Sequence, residues 1–520
     1  MSGTSLKPSR VEINVVANLF GTGATVLIGL AFVPIFVRLL GVEAYGLIGF
    51  QTALLATLQI LDLGLSSTIN RELARLSAIP GQAGRARDFV RTLEIPYWIL
   101  GVTVGVIIVL AAPTIARDWL QVATLPIVAV QSAVMVMGVL FVLQWPISLY
   151  QGGLQGLQRQ PLVNTINVSL ALVRNIGAVL ILIYVSKSIV AFFLWQGLAS
   201  GLHVLILMLA LWSKLPESAH RPAFNIGELR RIWRFAAGMS VIALTGIILI
   251  QIDKIVLSRL LNLPEFGYYA LAAIVGSSLA YVVGPVFNAI FPRFSALVAR
   301  DEKEALTQLY HRATQFLAVV LLPTACTLAI LATDIMRLWT GNPATAQQTQ
   351  QVVALLAVGS AINGLMTMPY ALQLAYGWTS LGVRINLLLI LLVVPSAIIL
   401  GSVYGGPGAA SVWILTNAVY MLIGVPATHR RLMPGEAWRW LLVDILGPFC
   451  ASLAVVLVGL RFTVPLESRL LEAARIALVL VASIGAAFLA APMMREWALM
   501  RFRSIGVAVM RKLPRGTSRR

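Results

Sequence analysis

Long runs of apolar residues alternate with short polar connections along the whole chain. About 20 apolar residues are enough to cross the hydrocarbon core of a bilayer as an α-helix. The segment Tyr404-Gly405-Gly406-Pro407-Gly408 separates two of the shortest runs and predicts a turn. The pattern predicts an all-α integral membrane protein with about fourteen helices, at Asn14–Val37, Tyr45–Leu65, Ile95–Ala112, Leu125–Leu143, Val163–Tyr184, Val190–Trp212, Phe235–Leu257, Tyr268–Ile290, Ala313–Leu331, Val352–Leu374, Ile385–Leu400, Ala409–Val425, Trp440–Leu460 and Ile476–Met493.

Basic residues are concentrated on one side of these predicted helices. An even number of helices places both termini on the same side, together with every second connection. Because cytoplasmic loops carry the excess of positive charge in membrane proteins, the richer side is predicted to be the cytoplasm, with both termini. Of the 39 Lys and Arg residues, the opposite side holds only Arg38, Arg117, Lys187, Lys254, Arg259, Arg337, Arg461, Arg469 and Arg475.

The composition excludes several other classes of protein. Hydrophobic residues make up 59% and charged residues 11% of the chain, whereas soluble domains are about one quarter charged. The net charge of +19 lies in loops and in the tail after Met493, so no nucleic-acid surface with interleaved aromatic residues is predicted. Cys326 and Cys450 lie inside apolar runs without metal-ligand spacing. We therefore expect no cofactor, no metal and no nucleic-acid partner.

The two halves of the chain resemble each other. The segment Arg38–Gly46 corresponds to Arg259–Gly267 at a shift of 221, and Asn164 corresponds to Asn386 at a similar shift. These matches predict two six-helix lobes in parallel repeat around a central cavity, with two C-terminal helices added. The predicted parts are an N-terminal lobe (1–213), a cytoplasmic linker with an interfacial helix (214–234), a C-terminal lobe (235–428), helices 13 and 14 (429–495) and a basic cytoplasmic tail (496–520).

Polar residues recur at helical spacing inside several spans. A charge in the middle of a span costs about 2.5–3.5 kcal/mol, so such residues usually face a cavity or a partner. Arg174 is the basic residue deepest within a span, and Asn167 lies on the same predicted face. Small and polar stripes also occur where two helices pack together, and that interpretation stays open. The candidate substrate-binding residues inside the spans are Arg174, Lys254, Asn18, Gln51, Gln59, Gln251 and Asn167.

Two carboxylates and a set of loop arginines complete the candidate site. Asp62 in helix 2 and Asp253 in helix 7 are candidates for coupling transport to an ion, although Asp62 could instead meet a loop arginine or water, and Asp253 could simply pair with Lys254. Arg71 and Arg293 follow helices 2 and 8 at the predicted cytoplasmic side. They either determine topology or gather an anionic head group, such as a diphosphate, from the inner leaflet.

Three motifs give the chain a family resemblance. They are Leu154-Gln155-Gly156-Leu157-Gln158-Arg159, then Ile252-Asp253-Lys254 followed by Phe266-Gly267-Tyr268-Tyr269-Ala270, then Gly405-Gly406-Pro407-Gly408-Ala409-Ala410. With their order and spacing, the chain resembles the polysaccharide repeat-unit (Wzx-type) flippases of the multidrug/oligosaccharidyl-lipid/polysaccharide exporter superfamily. The resemblance implies a bacterial cytoplasmic membrane protein whose helices 1, 2, 7 and 8 line a cavity.

The resemblance also implies a substrate and partners. The substrate is an oligosaccharide on undecaprenyl diphosphate, turned from the inner to the outer leaflet by alternating access for surface polysaccharide biosynthesis. The implied partners are membrane lipids, the polysaccharide polymerase and the chain-length machinery. The related lipid II flippases carry arginines within their first two helices, where this chain has Asn18, Gln51 and Gln59. That departure disfavours a peptidoglycan precursor as substrate.

Two rival functions are weighed against this interpretation. A membrane glycosyltransferase or polymerase would need a large extramembrane domain or a long outer loop with paired carboxylates, and the predicted outer loops are short. We therefore do not expect an enzyme. A drug/cation antiporter of the same superfamily would need a carboxylate in the N-terminal lobe that exchanges protons or sodium, for which Asp62 and Glu94 are candidates.

Overall fold

The computed structural model describes residues 10–218, 221–461 and 468–499. Long helices dominate these residues, and we label them α1 to α14 in chain order. The first seven are Arg10–Leu40, Val42–Asp62, Ala83–Trp119, Ile127–Gly156, Gln160–Tyr184, Ile189–Lys214 and Ile226–Leu260. The others are Leu263–Ala299, Lys303–Ile330, Pro343–Ala375, the two parts of Thr379–Leu432, Ala437–Arg461 and Arg469–Ala490. The predicted all-α membrane fold and the helix count are confirmed, while most of the predicted basic tail lies outside the described residues.

The segment Thr379–Leu432 is two membrane spans rather than one. At 1.5 Å per residue, a continuous helix of this length would reach about 80 Å, more than twice the thickness of the hydrocarbon core. Gly405 interrupts the helix with φ 61° and ψ −138°, a conformation that a residue with a Cβ rarely adopts. The break divides the segment into α11 and α12, at the position where the sequence predicted a turn.

Two boundaries differ from the sequence prediction. The helix α2 ends at Asp62, and a separate amphipathic helix follows at Leu65–Ser77. The predicted interfacial helix of the linker is not a separate element, because α7 begins at Ile226 and continues without interruption to Leu260. The Asn225 side chain caps α7 by accepting the backbone N–H groups of Gly227 and Glu228. Proline residues occur before this cap, and none lies between Ile226 and Leu260, so no proline ends the helix at the membrane surface.

The chain forms two compact units, Met1–Ala270 and Leu271–Arg520. Unit 1 contains α1 to α7 and the beginning of α8. Its boundary at Ala270 therefore lies after the linker at 214–234, where the sequence prediction divided the lobes. The division into two six-helix lobes remains a prediction based on the repeat. Fully buried side chains of Leu47, Ile69, Val90 and Leu140 contribute to the interior of unit 1.

A buried polar cluster joins the two added helices to the rest of unit 2. The imidazole of His311 in α9 lies 2.5 Å from Asp444 and 3.0 Å from Glu436. Gln315, one turn further along α9, donates to Asp444 at 2.8 Å and accepts the backbone N–H of Met493 at 2.9 Å. Buried charged groups must find partners to offset their desolvation. This cluster therefore attaches α13 and the segment that follows α14 to α9.

The orientation of the helices is a prediction that reporter fusions test. Alkaline phosphatase is active only outside the cytoplasm, whereas green fluorescent protein fluoresces when fused on the cytoplasmic side. Fusions after Lys214 and at Arg520 should report the cytoplasm, and a fusion after Val185 should report the outside, because positive charge stays inside. A reversed signal at any one of the three positions contradicts the predicted topology.

Candidate functional site

A cavity of about 520 Å³ lies within unit 1. It is formed by the C-terminal end of α2, the middle of α4, and side chains from α5 and α6. The aromatic rings of Phe141 and Trp145 form part of its apolar wall. The polar side chains of its wall are Gln59, Asp62, Ser66, Gln144, Ser148, Gln151, Arg174 and His203. The cavity thus contains one carboxylate, one guanidinium and several neutral hydrogen-bonding groups.

Local breaks in two helices create this space. Leu63 and Gly64 have left-handed backbone conformations, with φ of 48° and 74°, and they separate α2 from the helix Leu65–Ser77. In α4, Pro146 has no N–H group to continue the helical ladder, and the regular helix stops at Gln144 and resumes at Ile147. Polar side chains on both sides of these breaks, namely Asp62, Ser66, Gln144 and Ser148, line the cavity.

Asp62 is held in place by hydroxyl and backbone donors. The hydroxyl of Tyr97 donates to Oδ1 of Asp62, and Ser66 donates to Oδ2 from its hydroxyl at 2.9 Å and from its backbone N–H at 3.4 Å. Within the part of the chain that the structure describes, no basic side chain forms an ion pair with Asp62. The other candidate carboxylate, Glu94, is buried and pairs with Arg91 at 2.9 Å. Asp62 is therefore the carboxylate positioned to respond to a solute in the cavity.

Arg174 provides the positive charge of the cavity. Its guanidinium Nη2 lies 3.4 Å from Nδ1 of His203, and its buried Nε has no hydrogen-bond partner. No carboxylate in the described residues lies within ion-pair distance of Arg174. A guanidinium presents several N–H groups in a planar fork that matches phosphate and carboxylate oxygens. An unpaired guanidinium at a cavity wall therefore favours an anionic ligand.

A chain of neutral side chains supports Arg174. Gln151 donates to Oδ1 of Asn167 at 2.8 Å, and Nε2 of His203 lies 3.1 Å from the same oxygen. If His203 donates from Nε2, its Nδ1 is left to accept from Arg174, so all of these contacts are satisfied by a neutral imidazole. In this arrangement the histidine orients the arginine without adding a second positive charge.

The structure brings together only some of the predicted site residues. Arg174, Gln59 and Asp62 line the cavity. Asn167 is not part of the lining but contacts His203, which is. Asn18 is exposed and instead accepts a hydrogen bond of 2.7 Å from Asn164, which joins α1 to α5. Gln51 is buried in α2 outside the cavity lining, and Gln251 in α7 is partly buried with an unpartnered Oε1. For Asn18, the packing interpretation of polar stripes fits the observed contacts.

Lys254 and Asp253 form a local pair away from the cavity. The Lys254 amine lies 3.4 Å from the Asp253 carboxylate, which also accepts a hydrogen bond from the hydroxyl of Tyr269. The pair links α7 to the first turns of α8. Both charged groups of this pair therefore have partners within the protein, whereas the guanidinium of Arg174 has no carboxylate partner in the described residues.

Several of the loop arginines of unit 1 are already paired. Arg71 and Arg75 flank Glu72 at 3.3 and 2.8 Å. Arg85 pairs with Glu228 of α7 at 2.8 Å. Exposed ion pairs of this kind stabilise a protein by only about 0–1 kcal/mol. Arg293, which belongs to unit 2, is exposed. Within the described part of unit 1, Arg71, Arg75 and Arg85 are therefore held by neighbouring carboxylates.

The sequence prediction missed the aromatic and amide partners of the cavity. Tyr97, Gln151 and Ser148 carry no signal of their own in an apolar chain, and His203 was not among the candidate site residues. Pro146 lies inside a long apolar run, and a proline there indicates a break in the helix. It could have drawn attention to the polar residues on either side of it.

Comparison with known proteins identifies the family. A family model described as polysaccharide biosynthesis protein matches residues 13–298, more than half of the chain. The chain belongs to this family. The Shigella flexneri protein named "Putative O-antigen transporter" is 22% identical over 404 residues, which cover 77% of this chain and 93% of that protein. The resemblance read from the motifs is confirmed at the level of the family.

Solved structures show which fold this polysaccharide biosynthesis protein adopts. The lipid II flippase MurJ in an inward closed conformation matches with a TM-score of 0.68 at 13% identity, covering 92% of this chain and 98% of that one. An inward-facing multidrug resistance MATE family transporter of the MOP superfamily matches with a TM-score of 0.66 at 17% identity, covering 78% and 94%. The chain therefore has the fold of MOP superfamily transporters, in a multi-pass membrane protein.

Proposed function

We propose that this protein turns an oligosaccharide linked to a lipid diphosphate from the inner to the outer leaflet of a bacterial cytoplasmic membrane. The main observation behind the proposal is the guanidinium of Arg174, which has no carboxylate partner in the described residues. It lines a cavity together with amide, hydroxyl and aromatic side chains. A guanidinium fits phosphate oxygens, and the neutral donors and acceptors fit sugar hydroxyls. The family match and the name of the Shigella relative support the same substrate class.

Electrostatics explain why such a site suits a flippase. A diphosphate cannot cross a low-dielectric region without a compensating charge, and an unpaired cation there is also costly. When the two meet, each supplies the partner that the other lacks. Arg174 would therefore bind the head group during passage, while the lipid tail remains in the bilayer beside the protein.

The proposal also states the side of the membrane from which the substrate is collected and the proteins that use it afterwards. With both termini in the cytoplasm, the substrate would be collected at the side that carries Arg71 and Arg293 and delivered to the opposite leaflet. A repeat unit delivered there would be consumed by a polysaccharide polymerase with its chain-length machinery. We propose no enzymatic step for this chain, since transfer between leaflets makes and breaks no covalent bond.

Deletion of the gene tests the substrate class. We expect the deletion strain to lose long-chain surface polysaccharide and to accumulate the lipid-linked repeat unit on the cytoplasmic side, with both effects reversed by a plasmid copy. Polysaccharide is measured by gel electrophoresis and the intermediate by mass spectrometry of extracted lipids. Normal polysaccharide in the deletion strain would contradict the proposal, unless a second transporter of this class is present, which a double deletion reveals.

A drug/cation antiporter is the second candidate, and Asp62 in the cavity wall is the observation that favours it. An exporter of cationic drugs needs a carboxylate that a proton or a cation can occupy in exchange. The same deletion strain separates the two functions. Increased sensitivity to lipophilic cations with unchanged polysaccharide would support the antiporter, whereas accumulation of lipid II would support a peptidoglycan precursor.

A further inference from the structure

His311, in the buried polar cluster of unit 2, faces a carboxylate on each side of its ring. Its Nδ1 lies 2.5 Å from Oδ2 of Asp444, and its Nε2 lies 3.0 Å from Oε2 of Glu436. An ionised carboxylate only accepts hydrogen bonds, and a neutral imidazole carries only one N–H group. Both contacts are therefore hydrogen bonds only when the three side chains share one further proton, on the imidazole or on a carboxylate. The geometry of the cluster thus defines a site for one proton.

Water does not compensate for the loss of that proton. The side chains of His311 and Asp444 are both 0% exposed. Without the proton, one ring nitrogen directs its lone pair toward a negatively charged oxygen, and that carboxylate loses a donor. A charged group left without its partner in the interior is strongly destabilising. Occupancy of the site is therefore linked to the stability of the contact between α9 and α13.

The second buried histidine of the region does not supply the proton. Nδ1 of His429 in α12 lies 2.9 Å from the carbonyl oxygen of Val425, to which it donates. Its Nε2 lies 3.2 Å from the hydroxyl of Tyr310, which precedes His311 in α9. When the tyrosine donates to Nε2, all contacts of His429 are satisfied by a neutral imidazole. The exchangeable proton therefore belongs to His311 and its two carboxylates.

Two arginines lie beside the cluster without replacing the proton. Arg439 is 3.7 Å from the outer carboxylate, Glu436. Arg312 follows His311 in α9, and its buried Nε has no hydrogen-bond partner in the described residues. Among the ion pairs of the described chain, Asp444 has no arginine or lysine partner. The helices α8 and α10 contribute apolar side chains to the surrounding core, among them Phe294, Leu365 and Met368.

The exposure of the three side chains gives the cluster a direction. Glu436 is 28% exposed, whereas His311 and Asp444 are fully buried. Glu436 lies between α12 and α13, in a connection that the charge bias of the sequence predicts to be cytoplasmic. Chains of carboxylates and histidines inside membrane proteins carry protons. A proton therefore reaches His311 from the side of Glu436.

Asp444 lies in an irregular part of α13. The segment Trp440–Leu446 is a π-helix, a rare turn that is frequent at functional sites. The indole of Trp440 is 2% exposed, and its Nε1 has no hydrogen-bond partner in the described residues. Both features reduce stability, and departures of this kind are expected at functional positions rather than at simple packing contacts.

The cluster holds the two C-terminal helices through one glutamine and one apolar contact. Gln315 donates to Asp444 at 2.8 Å and accepts the backbone N–H of Met493. One turn further along α9, Val319 is 6% exposed and packs in an apolar cluster with Ala487, Ala491 and Met494. Loss of the proton from the cluster therefore acts on the attachment of α13 and α14 at this end of α9.

We propose that Glu436, His311 and Asp444 form a proton-binding site, filled from the cytoplasm, whose occupancy controls the attachment of α13 and α14 to α9. The inference goes beyond the proposed transport function and does not depend on the substrate. At low pH the proton is bound and both helices are held. As the pH rises, the proton leaves and the attachment loosens. The protein thereby responds to cytoplasmic pH through the two helices that lie outside the predicted six-helix repeats.

Thiol labelling of Val319→Cys tests the site directly. Cys326 and Cys450 are first replaced with alanine, and the purified full-length protein in detergent is treated with N-ethylmaleimide. The labelling rate is divided by that of the same protein unfolded in dodecyl sulfate, which cancels the pH dependence of the thiol itself. The ratio should rise about tenfold or more from about pH 6 to about pH 9, since a buried charge-assisted hydrogen bond is lost. A ratio that stays constant over this range would overturn the proposal.

Asp444→Asn should remove this pH dependence and keep labelling slow. The amide nitrogen of the new side chain donates to Nδ1 of His311, whose Nε2–H donates to Glu436, and the amide oxygen still accepts from Gln315. Every contact is then satisfied without the extra proton. Glu304→Gln, which alters an exposed carboxylate in the first turn of α9, is the matched control and should keep the rise. A rise of equal size in Asp444→Asn would contradict the site.

The native Cys326 reports whether the loosening is local, and it needs no change in the cluster. It lies further along α9 and packs in an apolar cluster with Val456 and Val479. The beginning of α14 is held there by arginine pairs, including Arg475 with Asp334 at 2.7 Å, and arginine keeps its charge over this pH range. In a protein with Cys450→Ala alone, the labelling ratio of Cys326 should stay constant from about pH 6 to about pH 9. Equal rises at Cys326 and Val319→Cys would indicate general loss of structure and overturn the proposal.

Discussion

Arg174→Ala is expected to abolish export of the lipid-linked repeat unit while the protein remains in the membrane at its normal level. Arg174 is the only Arg or Lys side chain among the residues that line this cavity, and its buried Nε has no hydrogen-bond partner within the described residues. Each charge-assisted hydrogen bond to a phosphate stabilises the complex by about 1.5–3 kcal/mol, so losing two of them should reduce transport about 100-fold or more. Surface polysaccharide in a deletion strain carrying the variant measures the loss, with membrane levels checked by immunoblot.

Two further variants separate charge from geometry at this position. Arg174→Lys keeps the charge but not the planar fork, so it should restore transport only partly. Asn175→Ala is the matched control, because the Asn175 side chain donates within α5 to the carbonyl of Ala171 and does not line the cavity. Full polysaccharide from Arg174→Ala would show that the head group is not bound by this arginine. The cationic site would then have to be sought at Lys254 or among the loop arginines.

The fold could be predicted closely because a bilayer imposes simple rules on sequence. Apolar length determines which segments span the membrane, and the glycines around Gly405 identify the break between α11 and α12. The boundary at Ile226 was harder to predict. An amphipathic surface helix and a membrane span can form one continuous helix when no residue between them breaks it, and periodicity alone does not tell the two cases apart.

The site could be predicted only in part because cavity formation depends on three-dimensional contacts. Arg174 was conspicuous, since a charge deep within a span needs a reason to be there. Asn18 and Lys254 had the same kind of polar signal, yet the structure gives them partners in α5 and beside Asp253. Which polar residues face a cavity, and which satisfy one another, depends on the breaks at Leu63-Gly64 and at Pro146. Helical spacing does not report those breaks.

Asp62→Asn is expected to reduce transport about tenfold and to remove its dependence on the ion gradient. The cavity holds a carboxylate as well as a guanidinium, and a negative charge there opposes the approach of an anionic head group. Binding of a proton or a cation at Asp62 would relieve that repulsion, which couples ion binding to substrate binding. Coupling between two sites typically corresponds to a factor of about 5–150 in affinity. The asparagine variant is permanently neutral, so it cannot release an ion when substrate leaves.

A purely local role for Asp62 makes a different prediction, and Tyr97→Phe distinguishes the two. Asp62 also accepts hydrogen bonds from Tyr97 and Ser66, and so fixes the start of the helix Leu65–Ser77. If that is its whole role, Tyr97→Phe should damage transport as much as Asp62→Asn does, and both should respond to an ionophore as the unmodified protein does. If Asp62 is the coupling site, Tyr97→Phe should cause the smaller loss and keep the response to the ionophore, because it retains the carboxylate. Surface polysaccharide with and without ionophore, compared among the three proteins, decides between the roles.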